Sequence, residues 1–147
     1  MRLFFENILL YIENSIYLPY NDIQSIKYKK TEVKKLKDID KNNASFENIK
    51  HIDENGVEFW YARELQSVLD YKEWRKFDGV IQRAIKACEN SNINASDHFV
   101  GADKMVSIGS GATRKQIDYK LTRYACYLIA QNGDSRKKVI ALAQTYF

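Results

Sequence analysis

Between Trp74 and Cys88 apolar positions return every three or four residues. Trp74, Phe77, Val80, Ile81, Ala84, Ile85 and Cys88 share one stripe, with Arg75, Gln82, Arg83 and Lys86 opposite, which predicts an amphipathic helix. In front of it, Asp70-Tyr71-Lys72-Glu73 has capping-box spacing and predicts the helix start. Leu65, Val68 and Leu69 mark a shorter helix over 62–69. Phe4, Ile8, Leu9, Ile12 and Ile16 repeat the same period, so residues 2–17 read as an amphipathic helix ended by Pro19. Toward the end of the chain, Leu121, Ala125, Leu128 and Ile129 form a stripe that stops near Asn132-Gly133, where the glycine suits a C-cap. Residues 136–147 read as a last helix with Val139, Ala143 and Tyr146 inward. The chain stops inside this pattern with no terminator residue, which reads as a truncation.

Shorter apolar runs predict strands. Ile49 to Ile52 and Val57 to Tyr61 flank Asp53-Glu54-Asn55-Gly56, and Asn-Gly tolerates the positive φ of a tight primed turn, so a β-hairpin is expected. Phe99-Val100 and Met105 to Ile108 read as strands, broken by 109–116 before Ile117 to Leu121, which predicts a second hairpin with a long basic tip. Between the first helix and the first hairpin, residues 20–44 carry Lys27, Lys29, Lys30, Lys34, Lys35, Lys37 and Lys41 and few large apolar side chains. This stretch reads as a linker or weak helix, and as a solvated segment in preference to a nucleic-acid arm. The organisation expected is therefore a leader over 1–44, amphipathic helix plus Lys-rich linker, followed by one compact module over 45–147. The fold class is α+β: a small antiparallel sheet of hairpins packed with about four helices.

Composition narrows the class. The 147 residues are 45% hydrophobic and 29% charged, include 17 Tyr and Phe and two Trp, and hold one proline, a globular rather than disordered profile. No run of eighteen apolar residues offers a transmembrane helix. Met1 to Phe5 imitates the start of a signal peptide, but Glu6, Asn7 and Glu13 interrupt it and no cleavage site follows, so export is not expected. Two cysteines, Cys88 and Cys126, are too few for a disulfide scaffold and favour a reduced, cytoplasmic setting.

Chemical motifs are sparse. Gly109 to Lys115 is glycine-rich, but it lacks the Gly-Lys-Ser/Thr ending a nucleotide loop requires and reads as a hairpin tip. His51 and His98 form no ligand-spaced motif with either cysteine, so no metal is expected. Cys126 neighbours Arg123 without a base to activate it, and no pair of carboxylates sits in contrasting environments, so neither an enzyme nor a cofactor is expected.

Charge is more informative. The net charge of +4 is a sum of unlike regions: residues 1–44 carry +2, residues 45–113 carry −3, and residues 114–147 carry +5 from seven bases against two acids. Such clustering is the footprint of phosphate contacts. A second basic face belongs to the helices over 62–69 and 73–89, which resemble a helix-turn-helix in outline. Together the two faces make Lys72, Arg75, Lys76, Arg83, Lys86, Arg114, Lys115, Lys120 and Arg123 the candidate nucleic-acid-binding residues.

Four separated blocks carry a family resemblance: 59–65 (Phe-Trp-Tyr-Ala-Arg-Glu-Leu), 69–77 from Leu69 to Phe77, 87–91 from Ala87 to Ser91, and 121–134 from Leu121 to Asp134, with 141–147 extending them. They resemble the bacterial DNA-damage-inducible protein D family, whose front is similar to the N-terminal domain of the BRO and phage antirepressor proteins. The resemblance implies an α+β module associated with DNA. It also implies a place in the DNA-damage (SOS) response and an action on RecA recombinase. Residues 1–44 have no counterpart in it, and the family continues past the position of Phe147. The function expected is a non-enzymatic DNA-binding module of a DNA-damage-inducible regulator, modulating RecA-dependent recombination and located in the cytoplasm with the nucleoid. The alternatives are a protein-interaction domain that acts on RecA or oligomerises without touching DNA, and a phage antirepressor-type transcription regulator.

Overall fold

The computed structural model describes residues 20–147, and the helix expected over 2–17 lies outside them. The chain divides after Asp40 into two compact units. In the first, helix α1 begins; it runs Tyr20–Asn48 as one continuous helix, the helical one of the two readings, linker or weak helix, that the sequence allows over 20–44. The reason lies in what the stretch lacks: from Tyr20 to Asn48 there is no glycine and no proline, and its lysines keep most of their rotamer freedom in a helix. Thr31 Oγ1 donates to the Lys27 carbonyl at 3.0 Å, and Lys35 pairs with Glu32 at 2.9 Å. Such i,i+3 pairs contribute a few tenths of a kcal/mol.

The second unit, Lys41–Phe147, holds the sheet. Strands β1 (Lys50–Ile52), β2 (Glu58–Tyr61), β3 (Phe99–Gly101) and β6 (Tyr119–Leu121) form an antiparallel sheet in the order β1-β2-β6-β3. Between β3 and β6 the chain leaves this sheet as a separate two-stranded ribbon, β4 (Lys104–Ser107) and β5 (Thr113–Gln116). Helices α2 (Ala62–Val68), α3 (Trp74–Asn90), α4 (Arg123–Gln131) and α5 (Lys138–Tyr146) complete the module. The α+β class expected from the sequence is the class observed.

Alternation along the strands builds the core. Trp60, Leu121 and Phe99 are cross-strand partners in neighbouring strands and are all buried. The α3 stripe meets them as expected, with Phe77, Val80, Ile81, Ala84 and Cys88 buried. Phe46, near the end of α1, is also fully buried, and its carbonyl accepts the Trp60 indole N–H at 3.0 Å. A buried indole needs that partner.

Five local expectations change. The first hairpin exists, but its turn is a five-residue loop, 53–57. Gly56 alone has positive φ (79°), and the Asp53 carboxylate accepts the N–H groups of Asn55 and Val57. Asp70-Tyr71-Lys72-Glu73 is not a capping box: Glu73 is itself the N-cap of α3 and makes no side-chain cap bond. Asp70 instead closes α2, with φ 56° and its N–H on the Ser67 carbonyl, followed by the Tyr71 N–H on the Gln66 carbonyl. That is the paired bonding of a Schellman ending. The second hairpin has a short tip, with Gly109, Ser110 and Gly111 all at positive φ, and the expected basic tip is the regular strand β5. Gly133 has no positive φ; a Cβ there would stand 2.7 Å from Ile140 Cδ1, so any larger residue would have to displace the Ile140 side chain. Finally, α5 turns Ile140 and Ala143 fully inward, with Val139 and Tyr146 only partly covered.

Candidate nucleic-acid interface

The strand parity that sends Trp60 into the core sends its neighbours the other way. His51 lies opposite Phe59, and Lys120 of β6 lies opposite both Tyr61 of β2 and Val100 of β3. The outer face of the sheet is therefore a cluster of three half-buried rings edged by exposed Lys120 and Val100. His51 stacks on Phe59 with centroids 5.3 Å apart, and Tyr61 meets Phe59 edge-on at 5.3 Å and His51 at 4.9 Å. Two ammonium groups lie over these rings: Lys120 Nζ 5.0 Å from the Phe59 centroid and Lys104 Nζ 4.5 Å from that of Tyr61. The carboxylate that reaches the face, Glu64, is engaged by His51 Nε2 at 2.7 Å.

The β4–β5 ribbon adds to this face. Its register pairs Lys104 with Gln116 and Val106 with Arg114, so Lys104 and Arg114 share one side. Met105 and Lys115 share the other, where Lys115 Nζ is paired with Asp103 at 2.7 Å. Asp103 is held below the usual carboxylate range by the Lys115 ammonium, and Lys115 is raised by the same contact.

The ribbon is fixed at its root by Asp118, which is buried at 2% exposure. Its Oδ1 accepts the Arg63 N–H at 3.0 Å and the Tyr119 N–H at 2.8 Å, its own N–H donates to Asp103, and its carbonyl accepts from Ala102. The α2 N-cap, Tyr61, offers no cap bond, so a carboxylate 55 residues away satisfies that orphan donor. Arg63 Nε donates to the Ile117 carbonyl at 2.9 Å, and its guanidinium lies 3.7 Å over the Trp74 ring.

On the polar side of α3, exposed Arg75 has no ion pair among the described residues, and neither does exposed Lys72 in the turn before the helix. Lys76 pairs with Glu73 at 2.6 Å, Lys86 stands 3.8 Å from Glu89, and Arg83 donates to the Asn132 carbonyl at 3.0 Å.

Arg123 is bonded into the fold. Its Nε and Nη2 donate to Glu58 at 2.6 and 3.3 Å, and Nη1 donates to the Tyr146 carbonyl at 3.2 Å. The guanidinium lies 5.1, 5.2 and 6.0 Å from the Trp60, Tyr146 and Phe147 rings. These bonds raise Arg123 above its ordinary value and lower Glu58. Three of the five guanidinium N–H groups of Arg123 are thus engaged within the fold, which ties it down more than Lys104, Arg114 or Lys120.

The structure thus brings Lys120 together with four residues that sequence reasoning passed over, His51, Phe59, Tyr61 and Lys104, and sets Arg114 on the same side of the ribbon as Lys104. A signal was present in Glu58-Phe59-Trp60-Tyr61, where aromatic residues occupy both parities of one strand, so that some must face away from the core. Both cysteine side chains are buried, and burial pushes each thiol up, Cys126 strongly. Among the described residues no group of three or more His, Cys, Asp or Glu is placed to hold a metal ion. No helix of the described residues is long and apolar enough to cross a membrane.

An antiparallel sheet closed by helices on one side, aromatic and basic on the other, with a basic ribbon inserted between adjacent strands, defines a small α+β module with an open recognition face. The chain belongs to the BRO family: residues 48–147 match the family's N-terminal domain. It is similar to DNA damage-inducible protein D of Escherichia coli (strain K12), with 50% identity over 109 residues, 74% of this chain and 40% of that relative. The chain thus spans about two fifths of the length of that curated relative. No solved structure matches it.

Proposed function

We propose that this chain is a DNA-binding module of a DNA-damage-linked regulator, as the name of its relative suggests. The observation that carries the reading is the set of cations with no acid partner among the described residues. Lys104, Arg114 and Lys120 are such cations on the sheet face and ribbon, with Lys72 and Arg75 at the start of α3. Phosphate contacts supply most of the affinity for nucleic acid, and cations already neutralised by carboxylates contribute little to them. In this reading the module works with the nucleoid in the cytoplasm and carries out no catalytic step.

The test is a titration of labelled DNA at rising salt. Three or four phosphate contacts give a slope of log affinity against log salt of about −3 to −4. Alanine at Arg75 or Arg114 should flatten that slope by about one. Binding that ignores salt would refute the reading.

A second reading, a protein-interaction domain docking on RecA recombinase or on a second copy, is favoured by a different observation. Met105, Ile108 and Ile117, on and beside the ribbon, are 66%, 54% and 46% exposed, and exposed apolar groups clustered on an arm suit a partner. Co-sedimentation with purified RecA filaments, combined with no shift of any DNA, would select it. An antirepressor-type regulator would instead bind one duplex sequence far above others.

A further inference from the structure

We infer that the outer face of the sheet is a stacking platform for the unpaired bases of single-stranded DNA, with Phe59 and Tyr61 as the stacking rings and Lys104 and Lys120 as the flanking phosphate contacts. The inference rests on the DNA-binding reading and specifies its ligand. Three features support it. First, the rings face away from the core by strand parity, above a Trp60 that is fully buried and fixed by its indole bond. They therefore stand on a rigid base, which stacking requires. Second, each ring has a face reachable by a mobile cation, since the ammonium groups of Lys120 and Lys104 already lie 5.0 and 4.5 Å from the Phe59 and Tyr61 centroids. A base can take that place, because an exposed ammonium over a ring is held less firmly than a stacked base, and a displaced lysine is free to meet the neighbouring phosphate. Third, the charge is complementary. Lys120 and Lys104 lie over the rings, Arg114 shares the side of the ribbon that carries Lys104, and Glu64, a carboxylate that reaches the rings, accepts a hydrogen bond from His51.

Strand state follows from geometry. In a duplex the bases stack on one another and show a protein only their edges, so rings carried on a sheet face cannot meet the faces of its bases. Duplex DNA would use only the lysines and arginine of this surface. The two lysines would then matter for both forms of DNA, and the two rings for the single strand alone.

The experiment measures fluorescence anisotropy of a labelled oligothymidine and of a labelled duplex, titrated with the full chain at one salt concentration. The variants are Phe59→Leu, Tyr61→Leu, Tyr61→Phe, Lys104→Gln and Lys120→Gln, each checked for folding by its thermal transition. Leucine keeps apolar volume without a π face, so each leucine variant should lose about five- to a hundredfold in single-strand affinity, the worth of one stacked base, with duplex affinity unchanged. Tyr61→Phe should bind the single strand like the parent, and the lysine variants should weaken both. Cross-linking by light of a bromodeoxyuridine oligomer to the unsubstituted chain gives a measurement independent of folding effects, with adducts expected at Phe59 or Tyr61. Leucine variants that bind the oligothymidine as tightly as the parent, or adducts confined to α3, would overturn the platform while leaving salt-dependent DNA binding intact. A parent chain that binds neither form would overturn both readings.

Discussion

Replacing Arg123 with alanine separates a structural cation from a binding one. The residue lies in a run of bases that looks like a phosphate-binding patch, yet its guanidinium is bonded to Glu58 at 2.6 and 3.3 Å and to the Tyr146 carbonyl at 3.2 Å. Glu58 and Arg123 are 35% and 37% exposed, so their pair is worth far less than the 3–5 kcal/mol lost when a buried pair is broken, and about 1 kcal/mol is the fair figure. The carbonyl bond adds about 1 kcal/mol, and the ring contacts about 0.5–1 kcal/mol. Arg123→Ala should therefore cost about 2–3 kcal/mol, read as a lower urea midpoint with unchanged slope. DNA affinity of the folded fraction should stay within about twofold. Adding Glu58→Ala should cost less than the sum of the single changes, because the pair is already broken. The same ion pair sets a pH dependence. Hydrogen bonding from Arg123 lowers Glu58 below its usual value, so this contribution is present above the ordinary glutamate pKa and disappears as pH falls below it through the lowered one. Glu58→Gln should flatten that acid limb. A variant with unchanged stability and a tenfold loss of DNA affinity would refute the assignment and return Arg123 to the binding surface.

Gly133→Ala should cost about 1–2 kcal/mol by urea denaturation, because the new Cβ meets Cδ1 of the fully buried Ile140 at 2.7 Å; Ile140→Val, which removes that atom, should recover part of the loss, and no recovery would sink the steric account. Asp118→Ala should lower the thermal midpoint by an amount equivalent to about 2–3 kcal/mol, since the N–H groups of Arg63 and Tyr119 lose a charged acceptor; an unchanged melt would show that water replaces the carboxylate. Cys88 and Cys126 are buried with raised thiols, so a disulfide reagent should label neither in the native protein and both in urea; one fast thiol would contradict the packing described. Lys104→Gln should weaken DNA binding more than Arg136→Gln, because Arg136 is bonded to Asp134 through two nitrogens at 2.9 Å; equal losses would argue for a diffuse field in place of a defined face.

What the sequence made legible is what a single element decides for itself. The α3 stripe could be read because one face meets the core over several turns, and Phe77, Val80, Ile81 and Ala84 are all buried there. The first hairpin was legible as a hairpin, but not in its turn, because the Asp53 carboxylate rather than Asn55 organises the loop. Strand β5 was illegible: Thr113-Arg114-Lys115-Gln116 is polar on both parities, and its strand state comes from pairing with β4 alone. Over 20–44 the sequence allows a linker or a weak helix, since α1 has few apolar residues at helical spacing and its helicity rests on propensity. The candidate site was harder still. Lys104 and Tyr61 meet across 43 positions of sequence, and no local pattern anticipates that contact.

Charge shows the same dependence on long-range contacts. The +5 of residues 114–147 is the largest regional balance in the sequence, yet folding removes much of it from solution chemistry. Arg123 goes to Glu58, Arg136 to Asp134, Lys137 to Asp70 and Lys115 to Asp103. Three of these acids, Glu58, Asp70 and Asp103, lie in the stretch whose own balance is −3. That stretch in turn supplies Arg75 and Lys104, which have no acid partner among the described residues. The acids of one region thus neutralise the bases of the other. Among the cations left over, Lys104 and Lys120 meet at the aromatic face and Arg114 shares the ribbon side of Lys104, because β4 and β5 interrupt the chain between β3 and β6, two adjacent strands of the sheet. The topology, more than the composition, decides where an anionic partner is met.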